Sequence, residues 1–221
     1  MCSSAAEERI SKRTPEFGQE FLGLAMLPPR PCVTDDQYSY NRLALGDAGN
    51  GDPTPIQKRK NLYFVTLEGM SIGEESIGID PHVFSDGGVI LDSGAALTSI
   101  PLSEYNILKQ GVHEVVGWKL TRYFRREEDI NLLCYGGNVT EEMTGFPGVS
   151  FHFAGGADLA MDEKSMFLQA NSDHFCMSVR PLKDGRKISV IGIMAQQNYN
   201  VGFDLEAGMV HLQKIDTDIF L

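Results

Sequence analysis

The sequence predicts an all-β protein with few short helices. Beyond Asn61, short runs rich in β-branched and aromatic residues are separated by glycine-containing turns, which is typical of strands. These runs do not alternate regularly with helical patterns, so a parallel α/β sheet is not expected. The chain has 221 residues, of which 42% are hydrophobic and 22% charged. This composition is ordinary for a globular domain and argues against disorder, collagen-like repeats and coiled coils.

The first 60 residues differ from the rest of the chain. They contain six of the ten prolines and show little alternation of apolar and polar residues. Short strands are predicted at 21–26 and 41–45, the second ending near Gly46. We therefore expect loops and edge strands here, with disorder at the extreme N-terminus.

From Asn61 onward the pattern predicts a succession of short strands. They are expected at 62–67, 70–72, 75–79, 88–91, 149–153, 158–161, 174–179, 188–191, 200–204 and 209–213. One helix is predicted after Pro101, because Leu102, Tyr105, Leu108 and Val112 follow helical spacing. Ser103 and Glu104 lie near its expected start and Gly111 near its expected end.

The charge balance excludes several classes of protein. Nineteen Lys and Arg against 30 Asp and Glu give a formal charge of −11, which argues against non-specific nucleic-acid binding. The basic run 122–126 is followed at once by three acidic residues and is interpreted as a solvated surface segment. No run approaches the roughly 18 apolar residues of a membrane helix. The N-terminus is charged where a signal peptide needs an apolar centre, so no export signal is predicted.

Cysteines and histidines give no metal-binding pattern. The four cysteines are too dispersed for a metal knuckle and too few for a disulfide-dense domain: Cys2, Cys32, Cys134 and Cys176. Their spacing allows one or two long-range disulfides or buried thiols. The five histidines lack the paired spacing of a zinc site, so no metal is expected. Asn138 opens an N-glycosylation sequon, which matters only if the chain enters the secretory pathway.

The segment most indicative of chemistry is 87–101, GGVILDSGAALTSIP. An apolar strand brings the carboxylate Asp92 into a turn made by Ser93 and Gly94. Glycine permits close approach of another chain, and a hydroxyl beside an aspartate can fix its carboxylate. By average residue usage, about one chain in twenty of this length contains Asp-Ser-Gly, so the triplet alone favours an ordinary turn. The apolar strand before it and the helix after it strengthen the functional interpretation.

Several spaced segments resemble plant pepsin-like aspartic proteases. They occur in the family's order: YFVTLEGMSIG (63–73), GGVILDSGAALTSIP (87–101), CY (134–135), FPGVSFHFAGGADLAM (146–161), FCM (175–177) and ISVIGIMAQQNYNVGFD (188–204). The resemblance is to the C-terminal lobe of the nepenthesin-type subgroup, a region that plant xylanase-inhibitor proteins share. It covers about residues 36 to 214 and implies one lobe of the pepsin-like acid protease fold.

The resemblance implies a role for each matching residue. Asp92 would be one of two catalytic aspartates, and Ser93 and Gly94 would hold its loop. An apolar–apolar–Gly strand would cross beneath it, made by Val190, Ile191 and Gly192. Cys134 and Cys176 would form the disulfide of the lobe, closing a loop of about forty residues and contributing roughly 3–4 kcal/mol. This pairing also favours glycosylation of Asn138.

Catalysis in this family needs two carboxylates and no cofactor. Two aspartates about 3 Å apart share a proton and titrate as a coupled pair. One member accepts a proton from water while the other protonates or polarises the scissile carbonyl, without a covalent intermediate. The implied function is therefore hydrolysis of peptide bonds in a peptide or protein substrate at acidic pH.

The sequence departs from the family pattern in ways that put activity in question. It contains no second Asp-Thr/Ser-Gly and no flap tyrosine, so an N-terminal lobe is expected to be missing. Ala95 stands where the family usually has Thr or Ser, and Ile193 where Asn is frequent. The cysteine that the family carries near its C-terminus is absent. The partners of Cys2 and Cys32 cannot be assigned.

Two functions follow from this pattern. The first is an aspartic endopeptidase lobe that is inactive alone unless a missing N-terminal lobe or a homodimer mate supplies the second carboxylate, as retroviral aspartic proteases do by dimerising. The alternative is a non-catalytic homologue that acts as a binding or xylanase-inhibitor-like protein. No nucleic acid or membrane partner is expected. The family is mostly secreted, vacuolar or plastid-targeted, although this N-terminus supports none of those locations.

The resemblance also divides the chain. Residues 1–35 are predicted as a poorly ordered N-terminal extension, and residues 36–60 as a remnant of an inter-lobe link with edge strands. Residues 61–216 are predicted to form the aspartic protease lobe, and 217–221 a tail.

Overall fold

A computed structural model of the chain describes residues 21–26, 42–45, 51–124 and 132–215. The predicted N-terminal extension lies outside these residues except for one strand, and the predicted tail lies wholly outside them. Within the described residues the chain is mostly β, with few short helices, as the sequence predicts. No helix among them is long and apolar enough to cross a membrane.

The strands are numbered in chain order. They are β1 (Phe21–Met26), β2 (Arg42–Leu45), β3 (Asp52–Pro55), β4 (Gln57–Arg59), β5 (Leu62–Val65), β6 (Leu67–Ile72), β7 (Glu75–Ile77), β8 (Val89–Leu91), β9 (Thr98–Ile100), β10 (Cys134–Gly136), β11 (Val149–Phe153), β12 (Asp158–Met161), β13 (Phe167–Gln169), β14 (His174–Met177), β15 (Val179–Pro181), β16 (Ser189–Ile191), β17 (Tyr199–Asp204) and β18 (Met209–Lys214). The helices are α1 (Leu102–Val116), α2 (Val139–Glu142) and α3 (Glu163–Met166), with a 3₁₀ turn at Pro81–Phe84.

These strands form four sheets. A five-stranded antiparallel sheet has the order β2-β1-β17-β18-β3, a four-stranded one β12-β11-β6-β7, and a three-stranded one β10-β14-β13. The fourth, which we call the central sheet, has the order β15-β9-β16-β8-β5-β4. It is mixed, because β16 runs parallel to β8 and β15 runs parallel to β9. Neighbouring parallel strands require long crossover connections, so this sheet brings distant parts of the chain together.

One hydrophobic core lies between the sheets and α1. Val149, Phe151 and Phe153 alternate with more exposed residues along β11, the period expected of a half-buried strand. Tyr105 and Leu108 on α1 are fully buried and belong to the same cluster. Burial of large apolar side chains stabilises such a core by roughly 1.5–3 kcal/mol each.

The predicted helix is present but longer than expected. It begins at Leu102 and continues to Val116, beyond Gly111, which was predicted to lie near its end. The glycine has a packing role instead: a Cβ at Gly111 would lie 2.7 Å from Cδ1 of Ile72 on β6. The absence of a side chain therefore lets the helix lie close to the four-stranded sheet.

Candidate active site

Asp92 lies directly after β8, at the end of a strand that two neighbours hold in place. β5 pairs antiparallel on one side of β8, and β16 pairs parallel on the other, with Ile191 opposite Leu91. After the loop, β9 returns along the far side of β16, where Ser99 lies opposite Val190. The two strands that flank the Asp92 loop are therefore separated by a third strand from nearly one hundred residues later in the chain.

The loop is held by hydrogen bonds from its own backbone and from β16. The Asp92 N–H donates to the Ile191 carbonyl at 3.0 Å, and the Ala95 N–H donates to the Asp92 carbonyl at 3.2 Å. The Gly94 N–H donates to Oδ1 of Asp92 at 2.8 Å, an Asx-type turn that orients the carboxylate.

The segment after β16 crosses close beneath the loop. The Ile193 N–H donates to the Ala95 carbonyl at 2.7 Å, and the Met194 N–H donates to the Ala96 carbonyl at 3.2 Å. A Cβ at Gly192 would lie 2.5 Å from the carbonyl carbon of Leu97 and 2.9 Å from the Ala95 oxygen. Only glycine fits where two backbones approach this closely.

Two residues that support this crossing were not singled out as site residues by sequence reasoning. Thr98 is fully buried, and its Oγ1 accepts a hydrogen bond from the Gly192 N–H at 3.1 Å. Gln196 is buried, and its Nε2 donates to the Ile191 carbonyl at 2.8 Å. The sequence carries little signal for either residue, since polar neighbours follow each of them: Ser99 after Thr98, and Gln197 and Asn198 after Gln196.

The carboxylate itself faces an accessible surface. Asp92 is half-buried, while Ser93 and Gly94 are exposed. Within the described ranges, Oδ1 of Asp92 accepts the Gly94 N–H and Oδ2 accepts no hydrogen bond. Alone, Asp92 can accept a proton but cannot also supply one to a leaving group.

Two of the departures from the family pattern, Ala95 and Ile193, lie at this loop. Ala95 and Ile193 are half-buried and joined through their backbones. Neither side chain can donate or accept a hydrogen bond. The loop is thus held by backbone contacts and by the side chains of Thr98 and Gln196. It lacks the hydroxyl that the family has at position 95 and the amide that the family has at position 193.

Cys134 and Cys176 form a disulfide. They lie opposite each other on the paired strands β10 and β14, so the bond joins two neighbours in the three-stranded sheet. Its position confirms the pairing that the resemblance implies. Cys2 and Cys32 lie outside the described residues.

Asn138 is exposed and caps α2. Its Oδ1 accepts a hydrogen bond from the Thr140 N–H at 2.9 Å. This position is compatible with glycosylation, which stays a prediction.

A groove of about 290 Å³ lies elsewhere, at the end of the central sheet where β8 and β16 begin. Its lining includes Leu102, Asp86, Lys183 and Lys187 but not Asp92. The Asp86–Lys187 ion pair, at 2.8 Å, crosses one side of it. The groove is therefore separate from the candidate active site.

The fold and the loop geometry define a class of protein. A mixed sheet in which an Asp-Ser-Gly loop lies over a crossing apolar–apolar–Gly strand is the arrangement of the C-terminal lobe of a pepsin-like aspartic protease. Solved structures agree on the fold. The crystal structure of edgp superposes with a TM-score of 0.67 at 13% identity, covering 88% of this chain and 54% of that chain. Basic 7S globulin from soybean gives a TM-score of 0.65 at 15% identity, covering 90% and 52%.

The chain belongs to the xylanase inhibitor C-terminal family, whose model matches residues 62–214. Among curated relatives, the aspartyl protease UND of Arabidopsis thaliana is 28% identical over 85% of this chain and 46% of its own length. Aspartic proteinase nepenthesin-2 of Nepenthes gracilis is 27% identical over 79% of this chain and 42% of its own length. The chain therefore spans about half the length of the curated relatives it matches.

Proposed function

We propose that the chain is the C-terminal lobe of an aspartic endopeptidase and that Asp92 is one of its two catalytic carboxylates. The observation that carries this proposal is the loop itself: Asp92 is presented at a strand end with Oδ1 held by Gly94, and its Oδ2 accepts no hydrogen bond from the described residues. Relatives named as aspartic proteases support the same assignment.

The mechanism requires a second aspartate from outside these residues. The chain has a single Asp-Ser-Gly, so the partner carboxylate comes from an N-terminal lobe or from a second copy. With the two carboxylates about 3 Å apart, one proton is shared between them. The ionised member accepts a proton from water, and the water attacks the scissile carbonyl. The protonated member donates a hydrogen bond to the carbonyl oxygen as it gains charge, and then protonates the leaving amine.

Replacement of Asp92 tests the proposal. In the native full-length protein, Asp92→Asn is expected to reduce acid proteolysis by at least about 10³-fold, because an amide cannot share the proton that both carboxylates need for acid–base catalysis. Asp184→Asn is the matched control, since Asp184 is an exposed aspartate at the opposite end of the central sheet. Cleavage retained by Asp92→Asn, with a normally folded protein, contradicts the assignment.

A non-catalytic binding protein is the second candidate, and the loss of side-chain polarity at Ala95 and Ile193 favours it. A loop without these bracing groups can keep its backbone path yet hold a carboxylate pair less rigidly. The same preparations distinguish the two functions. Tight binding of a glycoside hydrolase, with no cleavage at acidic pH by wild type or Asp184→Asn, supports the inhibitor-like function.

A further inference from the structure

The hairpin formed by β4 and β5 carries three consecutive cations on an otherwise acidic chain. Lys58, Arg59 and Lys60 lie at its tip, whereas the whole sequence has a net charge of −11. Lys60 adopts a φ of 56°, in the left-handed region, which closes the tight turn into β5. All three residues are exposed. This run is distinct from the basic run at 122–126.

Strand register places this tip at the same end of the central sheet as Asp92. Phe64 on β5 lies opposite Ile90 on β8, so Leu62 lies opposite the position of Asp92, one residue beyond the strand. On the other side of β5, Arg59 lies opposite Leu62. One row across the sheet therefore contains Arg59 on β4, Leu62 on β5 and Asp92 just after β8. Two interstrand spacings make the distance between the outer Cα atoms about 10 Å.

Two of the three cations lie over aromatic rings, and none of the three pairs with an acidic side chain among the described residues. Nζ of Lys58 lies 5.7 Å from the ring centre of Tyr63, and the Arg59 guanidinium lies 5.0 Å from that of Phe64. Arg59 also donates to Oε1 of Gln57 at 2.8 Å. Among the described residues, none of the three cations forms a salt bridge. Their charge is therefore available to a ligand beside Asp92.

We propose that this basic hairpin forms one wall of the substrate cleft and binds an acidic side chain of the peptide substrate. The inference rests on the proposed function, since it places the peptide over Asp92. An extended peptide advances about 3.3 Å per residue, so a distance of about 10 Å corresponds to a side chain roughly three residues from the scissile bond. The substrate class is thus peptides with Asp or Glu at that separation.

The preference should depend on pH through the substrate. Ordinary Asp and Glu carboxyls have pKa values of about 3.9 and 4.3, whereas Lys and Arg stay charged throughout the acidic range. A glutamate in the peptide is therefore attracted to the hairpin at about pH 5.5, and the attraction is lost as the pH falls through about 4. A glutamine peptide should show no such change.

Binding is measured first, independently of cleavage. Two fluorescent peptides that differ only in Glu or Gln three residues from the scissile bond are titrated into full-length protein carrying Asp92→Asn. We expect the Glu peptide to bind more tightly, with Lys60→Asn or Arg59→Gln each reducing the preference by about two- to fivefold. Asn tolerates the left-handed backbone at Lys60, so that variant keeps the turn. Lys183→Gln, an exposed lysine at the opposite end of the sheet, should keep the preference.

Cleavage of the same pair by protein with Asp92 intact separates the two proposals. A Glu preference in binding without any cleavage overturns the proposed catalysis but supports the basic hairpin as a peptide site. Equal binding of the two peptides, or a preference that survives replacement of all three cations, overturns the hairpin proposal. In that case the cations only protect an exposed edge strand from pairing with another chain.

Discussion

At the scale of single residues, Gly192 controls how close β16 comes to the Asp92 loop. The atoms that a Cβ would meet belong to the backbones of Leu97 and Ala95, at 2.5 to 2.9 Å, so no side-chain rotation can relieve the contact. We predict that Gly192→Ala destabilises the protein by about 1–3 kcal/mol, the usual cost of overpacking. The clash can be relieved only if the Asp92 loop moves. We therefore expect the substitution to reduce any proteolytic activity even in protein that remains folded. Denaturant unfolding and the rate of acid proteolysis measure the two effects.

Gly78 provides the matched control for this substitution. A Cβ there would meet no atom within 4 Å, and its backbone is not in the left-handed region. Gly78→Ala should therefore leave activity unchanged and alter stability by less than about 1 kcal/mol. Equal effects of the two substitutions would contradict the role assigned to Gly192.

At the scale of elements, the strands that were predicted correctly are those whose own residues carry a clear apolar pattern. β11 and β12 match their predicted bounds because each has a clear apolar pattern and a glycine turn between them. β9 and β15 were not predicted, since each has three residues and its partners are distant in sequence: β15 pairs parallel with β9, and β9 also pairs with β16. β3 lies in the region predicted as loops and edge strands, and it occupies a sheet edge, where its two prolines are tolerated.

The candidate site also has one part that the local sequence predicts and another part that it does not. The Asp92 loop is predictable because strand, carboxylate and turn are contiguous. Thr98 and Gln196 act on residues almost one hundred positions away and five positions away, through contacts that no sequence periodicity encodes. The basic hairpin becomes informative only through register, which places Arg59 beside Asp92 across two strand pairings.

The disulfide is an element-scale contribution to stability. Cys134 and Cys176 are 42 residues apart in sequence, and their bond ties β10 to β14. Replacing both with Ala should lower the free energy of unfolding by about 2–4 kcal/mol, chiefly because the unfolded chain regains freedom. Urea unfolding of the variant and the oxidised wild type measures the difference. A reductant should lower the stability of the wild type toward that of the variant and leave the variant itself unchanged, and equal urea midpoints would contradict the prediction.

At the scale of the whole molecule, buried phenols make the core sensitive to alkali. Tyr105 on α1 and Tyr135 on β10 are fully buried, and burial raises the pKa of each to about 12. Burial also raises the pKa of Tyr199, whose hydroxyl accepts the Ala160 N–H and so links the five-stranded sheet to the four-stranded sheet. Ionising any of these groups places a charge inside the one core that all the sheets share.

The direction of the pH effect follows from these raised pKa values. The folded state binds the phenolic proton more tightly than the unfolded state, where the pKa is about 10. The stabilisation is complete below pH 10 and is lost as the pH rises from about 10 through 12. At about pH 11 the loss should be roughly 1 kcal/mol for Tyr105 and for Tyr135, seen as a falling urea midpoint.

Tyr135→Phe should weaken this dependence, although it also removes the 2.8 Å hydrogen bond to His113 and so lowers stability at neutral pH. Tyr63→Phe, at a partly exposed position on β5, should leave the dependence as it is. If the urea midpoint fell equally in all three proteins, the alkaline transition would have to arise elsewhere than in the buried phenols.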